Sequence, residues 1–165
     1  MRRAAALGLV LAALSSGCGS ADIEDDQRRR LDSIRQATEV FRDPAAALSA
    51  GYRPSPRCAE SDDESGAVGL GYQNLRINDD QQVELLRPEL LFYEEQRDRE
   101  PVLVGVGYLV PDEDQRPPET PLGHMEGPIP GIGPIPDRFE LHAWVHRRNP
   151  DGPLATWNPR VRCLD

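Results

Sequence analysis

The chain has 165 residues, 38% of them hydrophobic, with a formal charge of -9, 16 prolines and 14 glycines. Its length suits one hydrophobic core, since single domains commonly run to about 100–200 residues. The proline and glycine content argues against long helices, and no Lys/Arg cluster interleaved with aromatics offers the basic face that nucleic acid needs.

Residues 1–17, MRRAAALGLVLAALSSG, place two arginines before an apolar run that ends in Ser15, Ser16 and Gly17. The run is shorter than the roughly 20 apolar residues of a bilayer-spanning helix, so it predicts a cleaved export signal. With Cys18 added, the stretch resembles the lipobox of bacterial lipoproteins, although Ser15 stands where leucine is usual and Leu14 lies one place earlier. The resemblance implies that Cys18 becomes the new N-terminus and carries acyl chains of the palmitate type. Two chains suffice for stable anchorage, so the implied partner is a lipid bilayer and the implied address is the extracytoplasmic side of a bacterial cell envelope. Gly19 is not the aspartate associated with inner-membrane retention, which favours an outer membrane where the host has one. Losing Arg2 and Arg3 with the leader takes the formal charge from -9 to -11. Residues 18–22 then form a lipidated tether and 23–165 a single domain.

Acylation of Cys18 leaves Cys58 and Cys163 as an even pair in an oxidising compartment, where thiols usually bond. Such a bridge closes a loop of about 100 residues, for which chain entropy gives roughly 4–5 kcal/mol.

In chain order, 23–42 has helical composition, with Ile34, Thr38 and Phe41 at helical spacing on a thin apolar stripe and a loosely docked first half. Its RRR run, Arg28 to Arg30, follows Glu24, Asp25 and Asp26 and predicts a solvated, self-paired surface. Residues 43–51 predict a short helix capped by Asp43, with Pro44 at its first position and Gly51 past its end. Tyr52 and the prolines at 54 and 56 lead out to Cys58. The acidic stretch 59–66 lacks the alternation and closing glutamate of an EF-hand calcium loop and predicts a solvated turn.

Four strands are expected, at 67–75, 89–95, 101–110 and 138–146. The third is nearly all apolar, as suits a central strand covered on both faces. The fourth alternates, Phe139, Leu141, Ala143 and Val145 facing one way and Glu140, His142, Trp144 and His146 the other. NPDG at 149–152 predicts a type I turn and, with it, a hairpin returning residues 154–163 along the fourth strand, Trp157 near Trp144. Between the third and fourth strands, 111–136 carries eight prolines and four glycines and predicts an extended crossing, packed over the sheet through Ile129, Ile132 and Ile135 or serving a function of its own. The fold class that follows is α+β: N-terminal helices packed on a small antiparallel β-sheet, stapled by one disulfide.

No nucleophile elbow, phosphate loop, HExxH helix or CxxC pair occurs, and the GVG and GLG fragments lack the third glycine of a dinucleotide site. The candidate binding face is Glu140, His142 and Trp144, joined by His124, Trp157 and Tyr72. Positions 140 and 142 lie about 7 Å apart along a strand, and with His124 delivered by the Pro-rich crossing they form a candidate site for a divalent metal. A small-molecule or protein ligand for that face is the leading functional expectation. A metal-assisted hydrolase using Glu140, His142 and His124 is the second, and a non-catalytic structural component of the envelope the third.

Taken together, GY at 51–52 before Cys58, GLGY at 69–72, RPELLFYE at 87–94, YLVP at 108–111 and LHAWVHRRNPDGPLATWNPRVRC at 141–163 resemble a family of uncharacterised exported bacterial proteins. The resemblance implies a shared cysteine pair and carries no activity. Many members have a histidine where this chain has Gln73, so a ligand supplied there is missing here.

Overall fold

The computed structural model describes residues 18–74, 76–77, 82–131 and 136–164. The expected leader, 1–17, and the packing expected of Ile132 and Ile135 lie outside them.

Helix α1 runs from Cys18 to Thr38 and so includes residues 18–22, the segment expected to be the tether. Arg28, Arg29 and Arg30 pair with Asp25 and Asp26 along the helix, as the charge pattern implied. Among the described side chains of α1 only Ile34 and Thr38 are fully buried, and the first half meets the body through Gln27, whose amide donates to Leu122 O. The Thr38 hydroxyl turns back onto Ile34 O, at 2.8 Å, and the chain tightens into a 3-10 turn, Glu39–Arg42. Asp43 is extended, as a residue before proline prefers to be, and its carboxylate caps helix α2, Pro44–Ser49.

All six strands of the main sheet are antiparallel. In spatial order they are β1 (Arg53–Glu60), β2 (Ala67–Gln73), β3 (Leu90–Gln96), β4 (Arg99–Pro111), β8 (Arg138–Ala143) and β7 (Glu126–Ile129). A small ribbon, β5 (Glu119–Thr120) with β6 (Gly123–His124), lies in the Pro-rich crossing. The α+β class with one disulfide is therefore the observed architecture. Two strands of the main sheet differ from expectation, β1 and β7, both read as connections because of their prolines, as does the β5–β6 ribbon within the crossing. An edge strand needs ladder bonds on one side only, so each tolerates residues without an N–H.

The sheet carries apolar side chains on both faces. One face, with Leu91, Tyr93, Val106, Tyr108, Phe139, Leu141 and Ala143, packs against Ile34 and Ala47 of the helices. Three buried tyrosines fasten this layer: Tyr52 donates to Pro88 O, Tyr93 to Phe41 O and Tyr108 to Leu85 O, at 2.5–2.6 Å. Burial pushes all three hydroxyls well above their ordinary pKa, so they remain donors.

The other face holds Val68, Phe92, Val104 and Trp144, covered by Val161 and edged by Trp157 and Cys163. Gly105 and Gly107 make room here, since a Cβ on Gly107 would stand 2.5 Å from Phe92 Cζ.

The expected hairpin does not form. The NPDG turn is present, with Gly152 at φ +120° and Asp151 N bonded to Asn149 Oδ1, but β8 ends at Ala143. Beyond it, His146 N and Arg147 N both donate to Val104 O, the residue bulged out of the β3–β4 ladder. The backbone of 153–163 then crosses the second face as a strap. Its carbonyls are held largely by donors from the segment that follows β8: Trp144 N to Pro153 O, Trp144 Nε1 to Ala155 O, Asn149 Nδ2 to Trp157 O and Arg147 Nη1 to Arg160 O. Ala67 and Asn158 exchange the single bridge pair, and Cys163 ends the strap bonded to Cys58 of β1, Cα–Cα 5.7 Å.

Candidate functional site

A cleft of about 190 Å³ opens where the strap passes the β7–β8 edge. It is lined by His124 of β6, Glu126 and Ile129 of β7, Glu140, Leu141 and His142 of β8, and Leu154 and Thr156 of the strap. Glu140, His142 and His124, singled out from sequence, therefore share one cavity.

The β7–β8 register sets Glu126 directly opposite Glu140. Glu140 is nearly enclosed, its Oε1 accepting from Arg138 Nε at 2.7 Å and its Oε2 3.3 Å from His142 Nε2. Burial pushes the Glu140 carboxyl up, but the His142 hydrogen bond and charge, with Arg138, outweigh it and hold the group below its ordinary range. Glu140 therefore stays a carboxylate near neutral pH.

His142 is 6% exposed and its other nitrogen, Nδ1, lies 2.8 Å from Thr156 O. Its ring stacks edge-on to Phe92, centroids 4.7 Å apart. The same strap residue closes the opposite side, because Thr156 Oγ1 donates to Glu126 Oε1. Thr156 thus ties the strap to both wall strands. Ile129, Leu141 and Leu154 supply an apolar surface.

The remaining candidates fall elsewhere. Trp144 is buried beneath the strap and its indole N–H is taken by Ala155 O, so it is core and not a binding surface. Trp157 packs at the edge of that same cluster. Tyr72 is on the opposite face of the sheet, its ring centroid 4.4 Å from Tyr93 among the helix-side residues, and the six residues do not form one face. His146 is also separated from His142: it turns toward the helices, with Nε2 2.9 Å from Thr38 Oγ1.

Glu126, Thr156 and Arg138 were missed. Glu126 stands two places after His124, but only the β7–β8 register reveals that it opposes Glu140. Thr156 carried no signal, since its role comes from the strap's path.

Although two histidines and two glutamates line the cleft, no group of three or more His, Cys, Asp or Glu side chains among the described residues is arranged to hold a metal ion. That applies equally to the acidic turn, where Asp63 is occupied capping Ser65 N. A wider hollow beside that turn, about 560 Å³ and lined by Glu60, Asp62, Glu64 and Arg162, is open to solvent. No described helix is long and apolar enough to cross a membrane. No protein-family model, curated protein or solved structure matches the chain.

Proposed function

We propose that this protein is an extracytoplasmic lipoprotein, anchored through acyl chains on Cys18, whose domain binds a small polar ligand in the cleft between β7, β8 and the strap. One observation carries the binding reading: Glu126, Glu140, His142 and Thr156, from three separate segments, line a single cavity with an apolar wall. Convergent polar groups in a partly apolar hollow are the usual form of a ligand site. At about 190 Å³ the cavity is below the roughly 300 Å³ of drug-sized pockets, which limits the ligand, or the group a partner presents, to a few heavy atoms. The anchoring reading is supported by the pairing of Cys58 with Cys163, which leaves Cys18 as the third cysteine of the chain.

Metal-assisted hydrolysis has less support. Arg138 already holds Oε1 of Glu140, and the described groups do not assemble as a ligand set.

The test uses full-length protein exported in a bacterium and purified in detergent. Mass spectrometry of its N-terminal peptide is expected to show an acylated Cys18. Ligand-observed NMR with a library of small amines, alcohols, carboxylates and sugars is expected to find binders that the cleft variant Glu126→Gln loses. An unmodified Cys18 would overturn the anchor, and a library without a cleft-dependent binder would overturn the binding reading.

A further inference from the structure

A carbonyl oxygen only accepts, so the contact between His142 Nδ1 and Thr156 O places a hydrogen on Nδ1 in either charge state of the ring. The neutral ring therefore presents a bare lone pair at Nε2. That lone pair lies 3.3 Å from Glu140 Oε2, which is itself an acceptor. Two acceptors at this separation lack a hydrogen unless the ring gains a proton or a donor arrives from outside. Glu126 adds a third acceptor, directly opposite Glu140, and two carboxylates facing across a ladder repel. Arg138 and Thr156 each serve one oxygen of this pair, Oε1 of Glu140 and Oε1 of Glu126.

Resting on the reading of the cleft as a ligand site, we propose that it takes a small primary amine as its ammonium ion, received by His142 Nε2, Glu140 and Glu126. An ammonium group offers three N–H donors and one positive charge to three acceptors, two of them anionic. Ile129 and Leu154 provide apolar surface for a short alkyl stem. A divalent metal shares the charge but needs a gathered ligand set, which the described residues do not form.

The bound ammonium and a protonated His142 exclude each other, because like charges a few ångströms apart in a poorly solvated site repel strongly. The charged and titratable groups around the ring are Glu140 and Arg138 from β8, Glu126 from β7 and His124 from β6. Thr156 contributes only its carbonyl, and Phe92 and Trp144 contribute uncharged rings.

The test is isothermal titration of the full-length protein in detergent with n-propylammonium, alongside 1-propanol, tetramethylammonium and zinc. Expected are propylammonium binding to the native protein and a loss of about tenfold or more in Glu126→Gln and Glu140→Gln. Glu126 is exposed, so its variant separates loss of binding from loss of fold. Equal binding of 1-propanol or tetramethylammonium would overturn the donor-matching scheme. Zinc binding lost in the same variants, with propylammonium silent, would replace the amine with a metal. A different library member occupying the cleft while propylammonium does not would overturn the amine and leave the ligand site standing.

Discussion

His146 Nε2 lies 2.9 Å from the Thr38 hydroxyl, whose own hydrogen is directed to Ile34 O, so the ring must donate through Nε2. Its Nδ1 is buried without a hydrogen-bond partner, with Glu39 3.8 Å away, at the seam between α1 and the sheet. Burial, reinforced by Arg42 and only partly opposed by Glu39, lowers its pKa from 6.5 to about 4. Between those values the unfolded chain binds the extra proton and the folded one does not, so stability rises with pH across that window. The contribution is fully present above about 6.5 and is lost as pH falls towards 4, on the order of 3 kcal/mol in all. Urea unfolding at a series of pH values is expected to show this slope, and His146→Gln to flatten it between pH 4 and 6.5.

The Cys58–Cys163 bond spans 105 residues and holds the strap's far end to β1. Chain entropy assigns such a loop roughly 4–5 kcal/mol. Denaturant midpoints of a Cys58→Ser, Cys163→Ser variant are expected to fall accordingly. Amide exchange should accelerate first along 153–163, because the strap has one backbone bridge pair and is otherwise held by scattered donors.

Gly107 gives its space to the Phe92 ring. Gly107→Ala is expected to cost about 1–3 kcal/mol, because the added methyl meets Phe92 Cζ at 2.5 Å in a packed layer. Combining it with Phe92→Leu should recover part of that loss in thermal unfolding, a coupling that two independent defects would lack.

Tyr93 joins the sheet to the 3-10 turn through its bond to Phe41 O. Tyr93→Phe is expected to destabilise by about 1–2 kcal/mol, the cost of a lost hydrogen bond at a largely buried site. Protection of amides in α1 and the turn should drop more than protection in β3 and β4.

Local chemistry made much of the helical layer legible in the sequence. Asp43, Pro44 and Gly51 punctuate α2 through bonds within a few residues, and Ile34, Thr38 and Phe41 follow helical spacing. The run of apolar residues in β4 marked a strand covered twice, which the two clusters on its faces explain. Proline misled at β1 and β7, because its missing N–H argues against a strand only where both neighbours must be bonded. In the cleft, Glu140, His142 and His124 were visible as candidates, whereas Trp144, drawn in by strand alternation, and Tyr72, drawn in by residue type, belong to the cores.

The amino-acid sequence by itself determined the α+β class, the α2 cap, the 149–152 turn and the pairing of the last two cysteines, since each depends on residue type, short-range spacing or a count. Tertiary structure alone decided that β8 breaks at Ala143, that 153–163 lies as a strap across the second face, and that Glu126 faces Glu140 beside His142. Those outcomes rest on which distant carbonyl a donor reaches and on strand register, and a spacing along one chain contains neither.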